Sequence, residues 1–393
     1  MMITLQKVNP LEDKTLEELG FTWHTDSDGS KYVSDELVQI SQDEAEAYYE
    51  ATNAIYDMYV EAAEYVIKNE LFFELGIPFN LVDIIKKSWD NDVHWHIYGR
   101  FDLAGGIDDK PIKLIEFNAD TPTGLFETAL LQWAILKHNE MDEEKQFNNV
   151  YEAISNNFKR LITLFDDTDN FNERYDGWKI LFSSMDGNDE EEATTRLLQQ
   201  IATDAGFNTS FEYLGNVQFN ENGILDAHDN SYEYWFKLYP WEDIAHDEPE
   251  LATTISNIIS NQKAIILNPA YTLLFQSKGM LKILSDLFPD SPYLLKTSFE
   301  PLEGIKQVEK TVFGREGANT KIIDSKGSVL EEVEGPYGNY KKVYQEYVEF
   351  PKDLQGAKYQ AGIFFAYEAC GMSFRKGGEI MNNMSKFVGH VIV

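Results

Sequence analysis

The chain has 393 residues, of which 43% are hydrophobic and 13% aromatic, and this is typical of a globular protein with a large core. Its formal net charge of −34 argues against a nucleic-acid partner, because binding phosphate backbones requires a basic surface. The sequence contains no apolar run of about 18 residues, which excludes a transmembrane helix.

The charge would also attract cationic small molecules, although solubility or a saline habitat explains it equally well. The N-terminal segment has no basic stretch followed by an apolar core, so we expect no secretion signal. Cys370 is the single cysteine, which rules out an intramolecular disulfide. These features predict a cytoplasmic protein that binds neither a membrane nor a nucleic acid.

The first long predicted element is a helix from about Gln42 to Asn69. Ser41 and Glu44 have the spacing of a capping box, which marks a helix start. Apolar residues then recur at helical spacing. A second helix is predicted over Leu125–Leu136, directly after a turn that contains Pro122 and Gly124.

The strongest chemical signal lies in two segments between those helices, YGRFD (98–102) and KLIEFNADTPT (113–123). In a strand, Glu116 and Asn118 point to the same face, and Asp102 could join them from an adjacent strand. Three hard oxygen donors suit Mg²⁺, which completes its shell with water and phosphate oxygens. Arg100 would lie on the face of Asp102, and a guanidinium beside a metal suits phosphoryl transfer.

The rest of the chain predicts an α/β body followed by a β-rich lobe. Strands are expected at Lys179–Ser183 and Ala264–Leu267, and helices from the acidic run 189–192 to Ala205 and over Gln276–Leu287. From Val308 onward, glycines separate short β-rich runs, which indicates antiparallel strands. The predicted strands of this lobe are Lys321–Ile323, Val343–Val348 and Gln360–Tyr367.

A second signal is the segment KTVFGREGAN (310–319). Lys310 leads into a turn with Gly314 and Gly317, and glycines allow backbone amides to approach phosphate oxygens closely. A simple hairpin turn is the alternative. Beside the Asp102, Glu116 and Asn118 set, however, the segment favours a nucleotide site.

These motifs occur in the order found in the synthetase domain of glutathionylspermidine synthase and the shorter acid–amine ligases related to it. The chain resembles this family over nearly its whole length, through RFD (100–102), EFNADT (116–121), FKLYPWE (236–242), SKGMLKIL (277–284), KTVFGREGAN (310–319) and YQEYVEFPK (344–352). The resemblance implies one ATP-grasp ligase domain over residues 1–393. It also implies that the cysteine amidase domain of bifunctional members is absent.

The resemblance also implies the site. Mg²⁺ would be held by Asp102, Glu116 and Asn118, with Arg100 steadying the transferred phosphoryl group. ATP would be contacted by Arg100, Lys278, Lys310, Glu316, Gly317, Gln345, Glu346, Tyr347, Val348 and Gln360. The two substrates would be contacted by Thr121, Thr123, Glu191, Glu192 and Arg375.

Some of these residues have simpler explanations. Lys278 could be a solvated helix residue, and acidic residues such as Glu191 and Glu192 are common at a helix start because they complement the helix dipole. Leu238 stands where the family has a threonine that contacts glutathione, which leaves the identity of the peptide open.

The predicted function is therefore ATP-dependent amide formation through an acyl phosphate. It would join a short, glutathione-like peptide to a polyamine or another amine. A non-catalytic nucleotide-binding protein and an ATP-grasp phosphotransferase are the alternatives. The sequence does not indicate an oligomeric state.

Overall fold

The computed structural model describes residues 3–107 and 109–393. Its first third contains β1 (Thr4–Lys7), α1 (Asp13–Glu18), β2 (Glu36–Ile40), α2 (Gln42–Lys68), α3 (Val82–Trp89), β3 (Gly99–Ala104), β4 (Lys113–Asn118) and α4 (Gln132–His138). The capping box at the start of α2 is confirmed, because Ser41 Oγ accepts a hydrogen bond from Glu44 N–H while the Glu44 carboxylate accepts one from Ser41 N–H. The predicted helix over 125–136 is a π-helical segment, Glu127–Leu131, that continues into α4.

The middle of the chain is an α/β unit. It contains α5 (Val150–Thr163), α6 (Phe171–Arg174), β5 (Lys179–Ser183), α7 (Asp189–Asp204), β6 (Asn208–Phe211), β7 (Gln218–Asn220), β8 (Gly223–Leu225), β9 (Ser231–Tyr232), β10 (Tyr234–Lys237), α8 (Trp241–Asp247), α9 (Pro249–Ser260), β11 (Ile265–Leu267), α10 (Thr272–Gln276) and α11 (Met280–Leu287). Four of these strands form a parallel sheet in the order β11-β10-β5-β6, as expected for strands that alternate with helices. Short 3₁₀ helices are found at Leu71–Phe73, Phe79–Leu81, Thr168–Asn170 and Leu214–Asn216.

The predicted continuous helix over Gln276–Leu287 is wrong. The chain leaves helical geometry between α10 and α11, where Ser277 Oγ donates to the carbonyl of Leu75 and accepts from Gly279 N–H. A side chain that satisfies backbone groups in this way competes with helical hydrogen bonding. Lys278 therefore lies in a buried break between two helices and is not a solvated helix residue.

The last third contains β12 (Thr297–Ser298), β13 (Gln307–Thr311), β14 (Thr320–Ile323), β15 (Val329–Val333), β16 (Lys342–Glu346), β17 (Lys358–Ala366), β18 (Glu368–Gly377), β19 (Lys386–Val388) and β20 (His390–Ile392). The predicted glycine-punctuated β structure is a sheet in the order β12-β16-β13-β14-β15. The prediction extended this lobe too far, because β17 and β18 instead pair into a sheet with β3 and β4, in the order β19-β18-β17-β3-β4.

The antiparallel sheet of β19, β18, β17, β3 and β4 separates the hydrophobic core from a polar cleft. On its core face, the buried rings of Phe101 and Phe117 stack with centroids 3.7 Å apart, and Tyr59 of α2 packs on Phe117 at 5.2 Å. Side chains alternate along each strand, so the intervening residues of β3 and β4 point to the other face. Within residues 3–107 and 109–393, no helix has both the length and the apolar character needed to cross a membrane.

Candidate functional site

The predicted metal-binding residues lie together on the cleft face of β3 and β4. In the antiparallel register, Asp102 is directly opposite Glu116, and Arg100 is opposite Asn118. Two carboxylates directly opposite each other repel unless a cation neutralises them. The sheet therefore builds a negatively charged position that requires positive partners.

Arg100 is the first of these partners. Its Nε and Nη2 donate to the two oxygens of Asp102 at 2.8 and 3.1 Å, and Nη1 donates to the carbonyl of Thr123 at 2.6 Å. Burial alone would lower the pKa of Arg100, but the adjoining Asp102 raises it above its ordinary value, so the guanidinium stays charged. Asn118 Nδ2 also donates to Asp102, at 3.1 Å, which fixes the carboxylate from the other side.

Two lysines from different parts of the chain complete the charge balance. Lys278 Nζ lies 3.3 Å from Glu116 Oε2, and Lys310 Nζ donates to the Gln345 side chain at 2.9 Å. Burial raises the pKa of Glu116, but the positive charges of Lys278, Lys310 and Arg100 outweigh it and lower this pKa overall. Burial, with the like charge of Lys278, lowers the pKa of Lys310 to about 8 despite the attraction of Glu116.

The glycine-containing loop between β13 and β14 lies over these lysines. Lys278 Nζ donates to the carbonyl of Gly314 at 2.8 Å. Gly317 has a φ of 69°, and a Cβ there would be 2.4 Å from the carbonyl oxygen of Met381. Glycine is therefore required at this position for both conformation and space. Arg315 extends from the loop to Thr121 Oγ1 at 3.3 Å and to Glu242 Oε1 at 3.7 Å, and so links the β lobe to the body.

The predicted hinge at Gln345–Val348 lines the same cavity, but part of its backbone is already used. The N–H groups of Glu346 and Tyr347 donate to the carbonyls of Lys296 and Lys306 at 2.8 and 2.9 Å. The Gln345 side chain bridges Lys310 and the carbonyl of Leu114. Within the described part of the chain, the N–H of Val348 makes no hydrogen bond, which makes it the donor in this run that could bind a ligand.

The end of the cavity near Val348 also has an apolar lining, which the sequence analysis did not predict. These side chains come from β4, the β lobe and the C-terminal segment, and they are Ile115, Val308, Ile322, Phe350, Ile380 and Met381. Ile115 and Phe350 lie within the quoted motifs, but nothing in those motifs assigns them a role, and the shared property of the six is only an apolar side chain at a position that the fold brings to one place.

All of the predicted site residues except Glu192 line one cavity of about 220 Å³. Glu192 instead pairs with Arg196 at 2.6 Å and accepts from the Tyr213 hydroxyl at 2.9 Å. At the start of α7, Glu190 and Glu191 face the cavity. Adjacent helical residues point about 100° apart, so one helix cannot direct all three carboxylates the same way.

Glu190 has an unusual environment. It makes no hydrogen bond or ion pair within residues 3–107 and 109–393, and it shares the cavity wall with Arg375. Burial, together with the nearby Glu127 carboxylate, raises the pKa of Glu190 to about 7, although Arg375 acts in the opposite direction. Burial likewise raises the pKa of Glu191, against the effect of Arg315.

Two further buried carboxylates, Glu127 and Glu242, lie near this wall. The sequence analysis assigned no role to either, although Glu242 ends the quoted motif FKLYPWE. Glu127 Oε1 accepts from Trp23 Nε1 at 3.2 Å and from the Tyr32 hydroxyl at 3.1 Å, while its Oε2 has no partner among the described residues. Burial raises the pKa of Glu127, and it raises that of Glu242 to about 7 against the charge of Arg315. This end of the cleft therefore carries carboxylates that the protein compensates only in part, since Glu242 has the Arg315 charge at 3.7 Å and Glu190 has no ion pair among the described residues.

A second cavity, of about 340 Å³, joins the first at Arg100, Thr123 and Glu190. Part of its wall is an N-terminal hairpin that contains Trp23 and Tyr32 and is closed by the bridge between Thr25 and Lys31. Sequence reasoning had left this hairpin out of the site. The two cavities meet at the guanidinium of Arg100.

The donor set tests whether the site could hold a magnesium ion. Within residues 3–107 and 109–393, no three His, Cys, Asp or Glu side chains are close enough to form a complete metal site. Mg²⁺ needs only one or two protein carboxylates when substrate phosphates supply further oxygens. Asp102 and Glu116, with the Asn118 amide beside them and two lysines nearby, fit a metal that arrives with a nucleotide.

The whole described chain matches a known family. Residues 3–393 match the family model described as glutathionylspermidine synthase preATP-grasp. The chain is 30% identical over 395 residues to a Haemophilus influenzae protein named "Putative acid–amine ligase", with 96% of each chain covered. It is 24% identical over 344 residues to the Escherichia coli bifunctional glutathionylspermidine synthetase/amidase, and the match spans 80% of this chain but 52% of that protein.

A solved structure supports the fold class. A glutathione synthetase-like effector from Globodera pallida, in its apo form, superposes with a TM-score of 0.58 over 98% of both chains at 11% identity. The predicted α/β, ATP-grasp-type architecture and ligase class are confirmed by these matches. The chain belongs to the glutathionylspermidine synthase preATP-grasp family.

Proposed function

We propose that this protein is an ATP-dependent ligase that joins a carboxylate to an amine through an acyl phosphate. The observation that carries the proposal is the meeting of two cavities at Arg100. One contains the carboxylate pair and the two lysines, which suit a metal-bound triphosphate. The other is bordered by Glu190, whose carboxylate has no ion pair among the described residues and suits an ammonium group.

The two ends of the nucleotide cavity would bind different parts of MgATP, the metal-bound phosphates at one end and the adenine at the other. Asp102, Glu116 and Asn118 would hold the magnesium ion, and Lys278 and Lys310 would bind phosphate oxygens. The apolar side chains near Val348 would enclose the adenine. When bound, MgATP supplies the γ-phosphoryl group that activates the substrate carboxylate. Arg100, held by Asp102 and Thr123, presents a fixed positive charge where negative charge develops.

The substrate end supports an amine as the second reactant. Thr121, Thr123 and Arg375 offer donors to the carboxylate of a short peptide. Glu190 and Glu191 offer negative charge to an ammonium group. The family resemblance implied Glu191 and Glu192 for this role, and we assign it to Glu190 in place of Glu192. An amine must lose a proton before it attacks, and a carboxylate with a pKa of about 7 is suited to accept that proton near neutral pH. A glutathione-like peptide and a polyamine are the substrates that we propose.

The direct test is a screen for ADP release by the full-length protein. Glutathione and other short peptides are combined with polyamines and simple amines in the presence of MgATP, and the products are identified by mass. We expect ADP release that requires both an acid and an amine, together with an amide product. The Arg100→Ala variant is the matched control, because it should slow the reaction by about a hundredfold or more without removing either cavity.

Other outcomes separate the alternatives. A phosphorylated acceptor without an amide would identify a phosphotransferase. Binding of ATP with no turnover across the whole panel would favour a non-catalytic nucleotide-binding protein. The cytoplasmic location and the absence of a nucleic-acid partner stay predictions, and a nucleic-acid binding assay would test the second of them.

A further inference from the structure

A groove of about 610 Å³ lies on the opposite side of the antiparallel sheet β19-β18-β17-β3-β4 from the cleft. It is formed by α2, by the hairpin that joins β17 to β18, and by the segments around residues 95 and 271. Aromatic rings make up most of its lining: Tyr49, Tyr56, Trp95, Tyr271, Phe365 and Tyr367. The groove shares no lining residue with the two cavities of the cleft.

The rings are held in place by packing and hydrogen bonds. Tyr56 stacks on Phe365 with centroids 3.9 Å apart, and Trp95 Nε1 donates to Asn157 Oδ1 at 2.6 Å. Trp95 and Tyr367 lie 15° from parallel with centroids 6.3 Å apart. The groove thus presents several aromatic faces and edges in fixed positions.

The charged side chains that line the groove are acidic, and the Arg160 guanidinium lies against Tyr367 without being part of the lining. Asp57 and Glu368 contribute carboxylates, while no lysine or arginine is among its described lining residues. Asp57 makes no ion pair within residues 3–107 and 109–393, and Glu368 accepts from the Tyr49 hydroxyl at 2.6 Å. His96 does not counter these charges, because burial lowers its pKa to about 4 and leaves the ring neutral.

Tyr367 stands out at the tip of the β17–β18 hairpin. It has a φ of 71°, in the left-handed region that a bulky side chain rarely adopts, and its side chain is 56% exposed. Glycine or asparagine would form this turn with less strain. The ring already attracts one cation, since the Arg160 guanidinium carbon lies 3.8 Å from its centroid. Arg160 therefore occupies one face of the ring, and the 56% exposure leaves the rest of the Tyr367 side chain open to a ligand.

We propose that this groove binds a small organic cation, of the primary or quaternary ammonium class. Aromatic faces attract cations through their quadrupoles, and the Asp57 and Glu368 carboxylates add Coulomb attraction. An anion would be repelled by the same groups, and a neutral molecule would gain only the apolar contact. This site is separate from the amine site proposed in the cleft, and it does not depend on ligase activity.

The test is calorimetric titration of the full-length protein with choline and with its uncharged isostere 3,3-dimethylbutan-1-ol. We expect choline to bind, and the isostere to bind at least about tenfold more weakly, since it keeps the shape but loses the charge. Equal affinity for the two molecules, or no binding of choline up to about 10 mM, the range of weak cation–aromatic sites, would overturn the proposal.

Variants locate the site. Tyr367→Asn and Asp57→Asn should each weaken choline binding about five- to tenfold. Asparagine tolerates the left-handed conformation but loses the contacts with Arg160 and Trp95, so a melting curve of Tyr367→Asn is recorded to separate lost binding from lost folding. Phe79→Leu, at a 78% exposed aromatic residue outside the groove, is the matched control and should bind choline like the wild type.

A variant in the cleft distinguishes the two possible cation sites. Glu190→Gln should also retain binding of choline at the groove. Loss of binding in Glu190→Gln, with retention in Tyr367→Asn, would place the cation in the cleft and refute the groove.

Discussion

The two ends of the cleft differ in whether their carboxylates have ion-pair partners within the protein. We call the end around Asp102 and Glu116 the nucleotide end and the end around Glu190 the substrate end, after the ligands proposed for them. At the nucleotide end, the carboxylates of Asp102 and Glu116 are paired with Arg100 and Lys278 within 3.3 Å. At the substrate end, Glu190 has no partner among the described residues and its pKa is raised to about 7. The first end is balanced by the protein itself, whereas the second carries negative charge that burial penalises.

This difference indicates what each end requires from a ligand. Ion-paired side chains have a fixed geometry. When a magnesium ion and phosphates bind, the carboxylates can exchange their contacts with Arg100 and Lys278 for contacts with the metal, and the lysine can contact a phosphate instead. Buried carboxylates without a partner cost stability, and a cation that binds beside them recovers that cost. The nucleotide end therefore resembles a preformed catalytic centre, and the substrate end resembles a receptor for an ammonium group.

Replacing Glu116 with alanine should have the largest effect and tests the balanced end directly. We expect turnover to fall by about a thousandfold or more, because the variant loses a predicted magnesium ligand at the phosphoryl group. Lys278 and Lys310 remain, so nucleotide binding without magnesium should persist or strengthen. Turnover is measured by ADP release and nucleotide binding by fluorescence titration. A Glu116→Ala enzyme with wild-type turnover would refute the metal assignment.

Arg100→Ala should give the next largest loss, of about a hundredfold to a thousandfold in kcat. Its charge matters most as the phosphoryl group moves, so the KM for ATP should change much less than kcat. Arg100 also neutralises Asp102, so the melting temperature must be measured beside the kinetics. Arg100→Lys is the matched variant, since it keeps the charge but cannot make both contacts to Asp102. An unchanged kcat in both variants would remove Arg100 from the mechanism.

Glu190→Gln tests the uncompensated end. We expect the KM for the amine to rise by about tenfold, since a charge-assisted contact is lost, while the KM for ATP stays close to the wild-type value. The wild type should bind the amine more tightly as the pH rises from 6 to 8, because Glu190 becomes charged across its pKa of about 7. That trend should disappear in the variant. An equal rise in both KM values would contradict a specific role at the amine end.

The residues that meet at the nucleotide end could be predicted from the sequence, whereas those at the substrate end could be predicted only in part. Asp102, Glu116 and Asn118 follow strand alternation, and a short motif places them on one face. Lys310 was indicated by the glycine-containing segment that it begins, whereas Lys278 came from the family motifs and not from periodicity. The break at Ser277 that positions Lys278 was missed, because it depends on a contact with the distant Leu75 carbonyl.

The substrate end depends on contacts between distant parts of the chain. Four acidic residues open α7, and the rotation of that helix decides which of them face the cleft. The sequence alone could not fix that rotation, so Glu192 was chosen in place of Glu190. Glu127 gave no signal because its environment is created by Trp23 and Tyr32, about a hundred positions earlier in the chain. The C-terminal strands β17 and β18 were assigned to the wrong lobe for the same reason.

Glu242→Gln should produce a smaller effect, seen in stability. Its folded pKa of about 7 lies above the ordinary value of 4.5, so between these values the folded state keeps a proton that the unfolded state has released. Wild-type stability therefore falls as the pH rises through this window and stays low above it. The variant cannot lose that proton and should be more stable by about 1–3 kcal/mol at pH 8, with little difference at pH 5. Thermal melts of both proteins at the two pH values measure this, and a variant that is less stable at pH 8 would mean that the Arg315 charge outweighs the burial of Glu242.

Glu192→Gln should have the smallest effect and provides the sharpest contrast with Glu190. The Glu192 carboxylate pairs with Arg196 and accepts from Tyr213 on the outer side of α7, and exposed pairs of this kind contribute about 0–1 kcal/mol. We therefore expect the KM for the amine, the KM for ATP and kcat to stay within about twofold of the wild type. The two positions lie on the same helix turn and the substitutions are chemically identical, so any difference arises from the direction in which each side chain points. If Glu192→Gln weakened amine binding as much as Glu190→Gln, the cleft would respond to the overall charge of the helix start, and the proposed ammonium site at Glu190 would be wrong.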